Sequence, residues 1–166
     1  MRVLLTLVIA ARIFTNPNPE KELKQLFPTA VAFSALGGEP LHYNAYAADP
    51  KANPAAPVLG IAFWTTDMVP EEHGYHGPIH ILVGLDPKGV ITGAIVDYDS
   101  EPYGYFSVEP ARFGAQFKNK TIRDPFIVGR DVDAVSRASI SIGSATRAIR
   151  DGSRLAASRL LPEAPK

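Results

Sequence analysis

Cysteine is absent from all 166 residues, and that removes several chemistries at once. No disulfide, thiolate zinc site, iron–sulfur cluster or thioether haem attachment can be built from this chain. Redox chemistry, if there is any, must use a bound organic cofactor or a His/carboxylate metal site. An excess of charge of either sign is also missing: Lys and Arg number 17, as do Asp and Glu, and the pI is about 6.9. No broad basic field exists to attract phosphate backbones or anionic lipid heads, so nucleic acid is not an expected partner. Long apolar runs are lacking too, since the N-terminal stretch Val3 to Ala11 is too short to span a bilayer. Gly74, Gly77, Gly84 and Gly89 do not form the dinucleotide phosphate fingerprint, and there is no internal repeat.

What is present describes an ordinary globular chain: 46% hydrophobic and 20% charged residues, with a length that suits one domain and its core. Met1-Arg2, the apolar run and the small residues Ala10 and Ala11 fit a secretory signal with a short positive start. Residues 1–14 are therefore read as a signal or N-terminal apolar segment and residues 15–166 as a single domain. The alternative for the first stretch is a strand or buried helix of the domain itself, which periodicity cannot distinguish.

Asn18-Pro19 followed by Glu20 to Phe27 predicts an N-cap, a helix-compatible proline and a short amphipathic helix stopped by Pro28, with Leu23, Leu26 and Phe27 inward. Val31–Phe33 and Leu41–Tyr46 suggest strands around a Gly37-Gly38 turn, and Asp49–Pro57 an exposed loop. Val58–Thr66 is a strand candidate, and Pro70–Pro78 a polar loop. Ile79–Leu85 and Val90–Tyr98 bracket the turn Asp86-Pro87-Lys88-Gly89 as a hairpin. Glu109–Phe117 reads as a short helix, and Ser141–Leu161 as a long one with Ile142, Ala145, Ile149, Gly152, Ala156 and Leu160 along one side. Strands joined by hairpins and flanked by helices predict an α+β domain with a mainly antiparallel sheet.

The most informative stretch is Asp133-Ala134-Val135-Ser136-Arg137-Ala138-Ser139. It places a hydroxyl just ahead of the expected last helix, where free backbone N–H groups and the positive end of the helix dipole suit a phosphate. Taken alone, Ser136, Ser139 and Ser141 can equally be helix caps. The stretch resembles the flavinylation motif D-x-x-S-G-A-T of the FMN-binding domain family, with Ser139 at the acceptor position. Asp133, Ser136 and Ala138 match; Ser139 stands for the usual threonine and Arg137 for the usual glycine. The likeness runs from about Gly60 to about Leu161. It includes Phe63-Trp64-Thr65-Thr66-Asp67, Gly74-Tyr75-His76-Gly77-Pro78 and the hairpin Gly84 to Gly93. It is most similar to the periplasmic FMN domains of nitrous-oxide-reductase regulators, and less so to the flavin subunits of sodium-pumping quinone reductases and Rnf complexes.

That resemblance implies FMN bound through its phosphate to Ser139. The attachment would be installed by a flavin transferase that uses FAD and magnesium and releases AMP, because a serine does not attach a flavin unaided. It further implies a redox carrier more than an enzyme with its own substrate, periplasmic or otherwise exported and dependent on redox partner proteins. For the flat, mostly apolar flavin ring, Trp64 or Tyr75 can supply a wall, Thr65 and Thr66 hydroxyls, and Gly74 and Gly77 close backbone approach. Arg137 either obstructs modification by bulk and charge or pairs with the FMN phosphate.

Two alternatives stand beside this reading. One is a noncovalent ligand-binding or sensory module of the same fold. The other is a periplasmic metal-binding protein using His73, His76 and His80, three imidazoles within eight positions, although the intervening glycines and proline argue against a helix there. Arg147, Arg150, Arg154 and Arg159 on the last helix, with Glu71-Glu72, offer a charged surface for a redox partner.

Overall fold

The computed structural model describes residue 16 and residues 19–161. The N-terminal apolar segment and the expected cap at Asn18 lie outside the described residues. Five strands form one antiparallel sheet in simple sequence order: β1 (Ala32–Phe33), β2 (Tyr43–Tyr46), β3 (Val58–Trp64), β4 (His80–Leu85) and β5 (Ile91–Tyr98). The expected α+β fold with an antiparallel sheet is what the chain adopts. The β4–β5 hairpin turns where expected, and the Asp86 carboxylate accepts the backbone N–H groups of Lys88 (2.8 Å) and Val90 (2.9 Å) to lock the bend.

Both faces of the sheet are covered, because β3 and β4 are apolar on both sides. Ile61, Phe63, Ile81, Val83 and Leu85 point to one face. There they meet Ile142, Ala145, Ile149 and Ala156 of the long helix α4 (Ser139–Leu160), and Phe113 and Phe117 of and just after the short helix α3 (Ala111–Ala115). Ala62, Trp64 and Leu82 point to the other face. Leu23, Leu26 and Phe27 cover them from α1 (Glu20–Leu26), as their spacing predicts. The paired residues Phe63↔Val83 and Trp64↔Leu82 show the period-2 alternation that separates the two cores. Helix α3 lies so close to β5 that a Cβ at Gly114 would overlap the carbonyl oxygen of Ala94.

Most strand and helix ends shift by one or two residues from the sequence expectation, and three of these shifts have a clear local reason. Strand β3 ends at Trp64, and Thr65–Met68 make one helical turn, α2. The Thr65 hydroxyl takes over the role of a ladder by donating to the Ile79 carbonyl (3.1 Å) and accepting the Ile81 N–H (3.2 Å). Helix α3 starts only after Pro110, a residue that suits a helix start but not its interior. Helix α4 begins two residues early, at Ser139, with Ala138 as its cap residue. Among the described residues no helix is long and apolar enough to cross a membrane.

Candidate functional site

The N-terminus of α4 is bare. Its first intrahelical bond runs from the Ile142 N–H to the Ala138 carbonyl (2.9 Å), and no side chain caps it. The leading N–H groups, those of Ser139, Ile140 and Ser141, thus have no partner within the helix at the positive end of its 22 residues. The serines are not caps: Ser139 is exposed as the first helical residue, and Ser141, buried, gives its hydroxyl to the Glu101 carboxylate. Chain direction is set just before the helix by Arg137, whose φ of 67° lies in the left-handed region. That explains what a glycine would contribute at this position: for any other residue the conformation is disfavoured by about 1–2 kcal/mol. Ala138 is 3% exposed, which leaves no room beside the acceptor for a larger side chain.

A pocket of about 540 Å³ opens at this helix end, lined by Tyr75, Pro102, Tyr103, Arg137, Ala138, Ser139, Ile140 and Ser141. The volume lies within the range of cofactor-sized clefts. Tyr75 (63% exposed), Tyr103 (40%) and Ile140 (55%) give it apolar walls, while the helix N–H groups and Arg137 give it a positive rim. A flat aromatic ring with a phosphate tail matches this donor set: aromatic sides for the ring, and N–H groups and a guanidinium for the anion. The residues present therefore fit FMN.

One buried carboxylate ties the walls together, and the sequence did not single it out. Glu101 is 8% exposed and accepts the backbone N–H of Tyr75 (2.8 Å), the backbone N–H of His76 (2.9 Å) and the hydroxyl of Ser141. Burial pushes its pKa up, but the bonds from Ser141, His76, Tyr75 and the Gly77 backbone outweigh this and hold it below the usual carboxylate value. A Cβ on Gly74 would sit 2.6 Å from that carboxylate, so the space glycine leaves at Gly74 is filled by Glu101 rather than left for a ligand. At Gly77 a Cβ would meet only the Ser100 hydroxyl, at an ordinary 3.5 Å. The loop is also held by Glu72, on which Arg147 of α4 forks (2.7 and 3.2 Å). The only available signal for Glu101 was an acidic residue beside Pro102 in a Gly/Tyr-rich loop, too common a pattern to read.

The structure thus brings together Ser139, Arg137, Ala138 and Tyr75 from the sequence-selected residues, and adds Tyr103, Ile140, Ser141 and Glu101. Asp133 and Ser136 are exposed on the approach to the helix and do not line the pocket. Neither do Trp64, Thr65 and Thr66. Trp64 is buried on the α1 side and stacks on His80, with ring centroids 4.1 Å apart. The Thr65 hydroxyl is committed between β3 and β4, and Thr66 is hydrogen-bonded to His80 Nδ1 (2.6 Å).

The three histidines diverge. His73 and His76 are exposed, donating to the carbonyls of Pro70 (3.2 Å) and Ser100 (3.1 Å), whereas His80 is buried at the start of β4. Among the described residues no group of three His, Asp or Glu side chains is placed to hold a metal ion, so the arrangement that the metal-binding alternative requires is not formed. Of the arginine face, Arg147 is engaged with Glu72, Arg150 with Asp151, and Arg154 with the carbonyls of Ile122 and Asp124.

Comparison with known proteins agrees with the chemistry of the pocket. No curated protein matches the chain. The family model described as the FMN-binding domain matches residues 74–153, a segment that runs from the Gly74 loop through β4, β5 and α3 into α4 and contains every residue lining the pocket. Through residues 74–153 the chain belongs to the FMN-binding domain family, and FMN is its cofactor.

Proposed function

We propose that this protein is an electron-transfer carrier in which FMN is tethered by its phosphate to the Ser139 hydroxyl. The observation that carries the reading is the placement of Ser139: exposed, first in α4, on the lip of the tyrosine-walled pocket and beside uncapped N–H groups. Attachment by a flavin transferase would form the Oγ–phosphorus bond and break the pyrophosphate bond of FAD. AMP leaves and the hydroxyl proton passes to a base of the transferase or to water. Ser139 would tether the phosphate, Tyr75 and Tyr103 of the pocket lining would offer aromatic faces to the ring, and the α4 N–H groups would offset the phosphate charge. Bound FMN would supply reversible one- or two-electron chemistry.

In this reading residues 15–166 act as one domain, Asp133 and Ser136 belong to the surface that the transferase recognises, and redox partner proteins exchange electrons at the pocket mouth. The signal-like N-terminus supports export to the periplasm, as in the nitrous-oxide-reductase regulator type. The test is co-expression with a flavin transferase followed by a denaturing gel. A fluorescent band that disappears in Ser139→Ala supports the tether. Flavin that is released on denaturation identifies instead a noncovalent binding module.

A further inference from the structure

The residue that departs most from the flavinylation motif stands in the most informative place. Arg137 holds a left-handed backbone, φ 67°, where glycine would be unstrained. Backbone strain of this kind persists where the surroundings or a function require it. The Arg137 side chain is exposed and lines the pocket with Ser139, and among the described residues it makes no hydrogen bond or ion pair. Arg147, Arg150 and Arg154 are each engaged within the chain, and of the arginines without such a partner among the described residues only Arg137 lines this pocket. Two residues of backbone span at most about 7 Å, within the length of an arginine side chain, so the guanidinium can reach a group esterified to Ser139.

We propose that Arg137 is a positioning residue whose guanidinium clamps the phosphate of FMN. The inference rests on Ser139 as the FMN anchor. The helix N–H groups would offer the phosphate donors from α4, and Arg137 would add a planar fork of donors suited to two phosphate oxygens. A glycine here would leave the phosphate to the helix dipole alone. In exchange for a disfavoured backbone, this chain gains a fixed positive charge at the anchor, which holds the FMN tail in place and disfavours flavins that lack a phosphate.

The experiment separates this role from the anchor itself. The Ser139→Ala chain, which cannot be modified, is titrated with FMN and with riboflavin by quenching of flavin fluorescence, alone and combined with Arg137→Gln or Arg137→Lys. Because Gln retains the backbone strain while removing the charge and the guanidinium fork, the clamp is tested apart from the backbone. The expected result is that FMN binds at least about tenfold more tightly than riboflavin, the range of a charge-assisted hydrogen bond. Arg137→Gln should remove most of that preference and leave riboflavin affinity unchanged, and Arg137→Lys should restore part of it. An equal FMN-to-riboflavin preference with and without the arginine overturns the clamp while leaving the FMN pocket intact. Failure of both flavins to bind counts against the pocket itself. Thermal melting of each variant confirms that the fold is kept.

Discussion

Replacing Glu101 with glutamine is the sharpest test of how the pocket is held. The carboxylate accepts the Tyr75 N–H, the His76 N–H and the Ser141 hydroxyl among its donors, and glutamine is nearly isosteric but carries only one acceptor oxygen. Whichever way the amide is turned, its NH2 faces a backbone N–H, at Tyr75 or at His76, and leaves it unpaired. A buried donor without a partner costs about 1–3 kcal/mol, and each surviving bond loses roughly 1 kcal/mol of charge assistance. Since neighbouring contributions do not add fully, the expected loss is about 2–4 kcal/mol, a large part of a typical domain stability of about 5–15 kcal/mol. With a slope of about 2 kcal/mol per molar for a small protein, the urea midpoint should fall by about 1–2 M.

The pH dependence identifies the carboxylate as the cause. Its folded-state pKa is held below the ordinary 4.5, so its stabilisation is complete above that value and is lost as pH falls through the folded pKa. Wild type and Glu101→Gln should therefore differ fully at pH 7 and converge well below pH 4.5. A loss under about 0.5 kcal/mol at pH 7, within the range of a neutral surface change, or a gap independent of pH would refute the reasoning.

The remaining expectations concern the backbone and the anchor. Arg137→Gly should stabilise the unmodified protein by about 1 kcal/mol by relieving the left-handed conformation, measured as a raised melting temperature, even as the FMN preference falls. Ser139→Ala should abolish the fluorescent band on a denaturing gel yet change stability by no more than about 0.5 kcal/mol, because the side chain is exposed. Gly114→Ala should destabilise by about 1–3 kcal/mol, since its Cβ overlaps the Ala94 carbonyl and α3 must move off β5; an unchanged urea midpoint would show that this packing is slack.

Much of the fold was legible because it is written locally. The alternation through Ile79–Leu85, the Asp86–Gly89 bend and the apolar stripe from Ile142 to Ala156 each specify an element from neighbours in sequence. The helix start was misplaced because three serines all looked like caps, whereas the hydroxyl of Ser141 was drawn to Glu101, 40 residues away. Nor does anything local reveal that the Thr65 hydroxyl is shared between Ile79 and Ile81. The three histidines sit close in sequence, yet a strand start buries His80 and leaves His73 and His76 in a loop.

The amino-acid order alone determined the class of fold, the exclusion of thiol chemistry, and Ser139 as the candidate anchor, because these depend on residue types, short-range periodicity and a linear motif. Only the folded chain decided which side chains wall the pocket and that Glu101 joins two of its walls. It also decided that position 137 must bend left-handed. These follow from packing a loop, a turn and a helix end against one sheet, where groups 25–40 residues apart compete for the same few hydrogen bonds, a competition that no local pattern encodes.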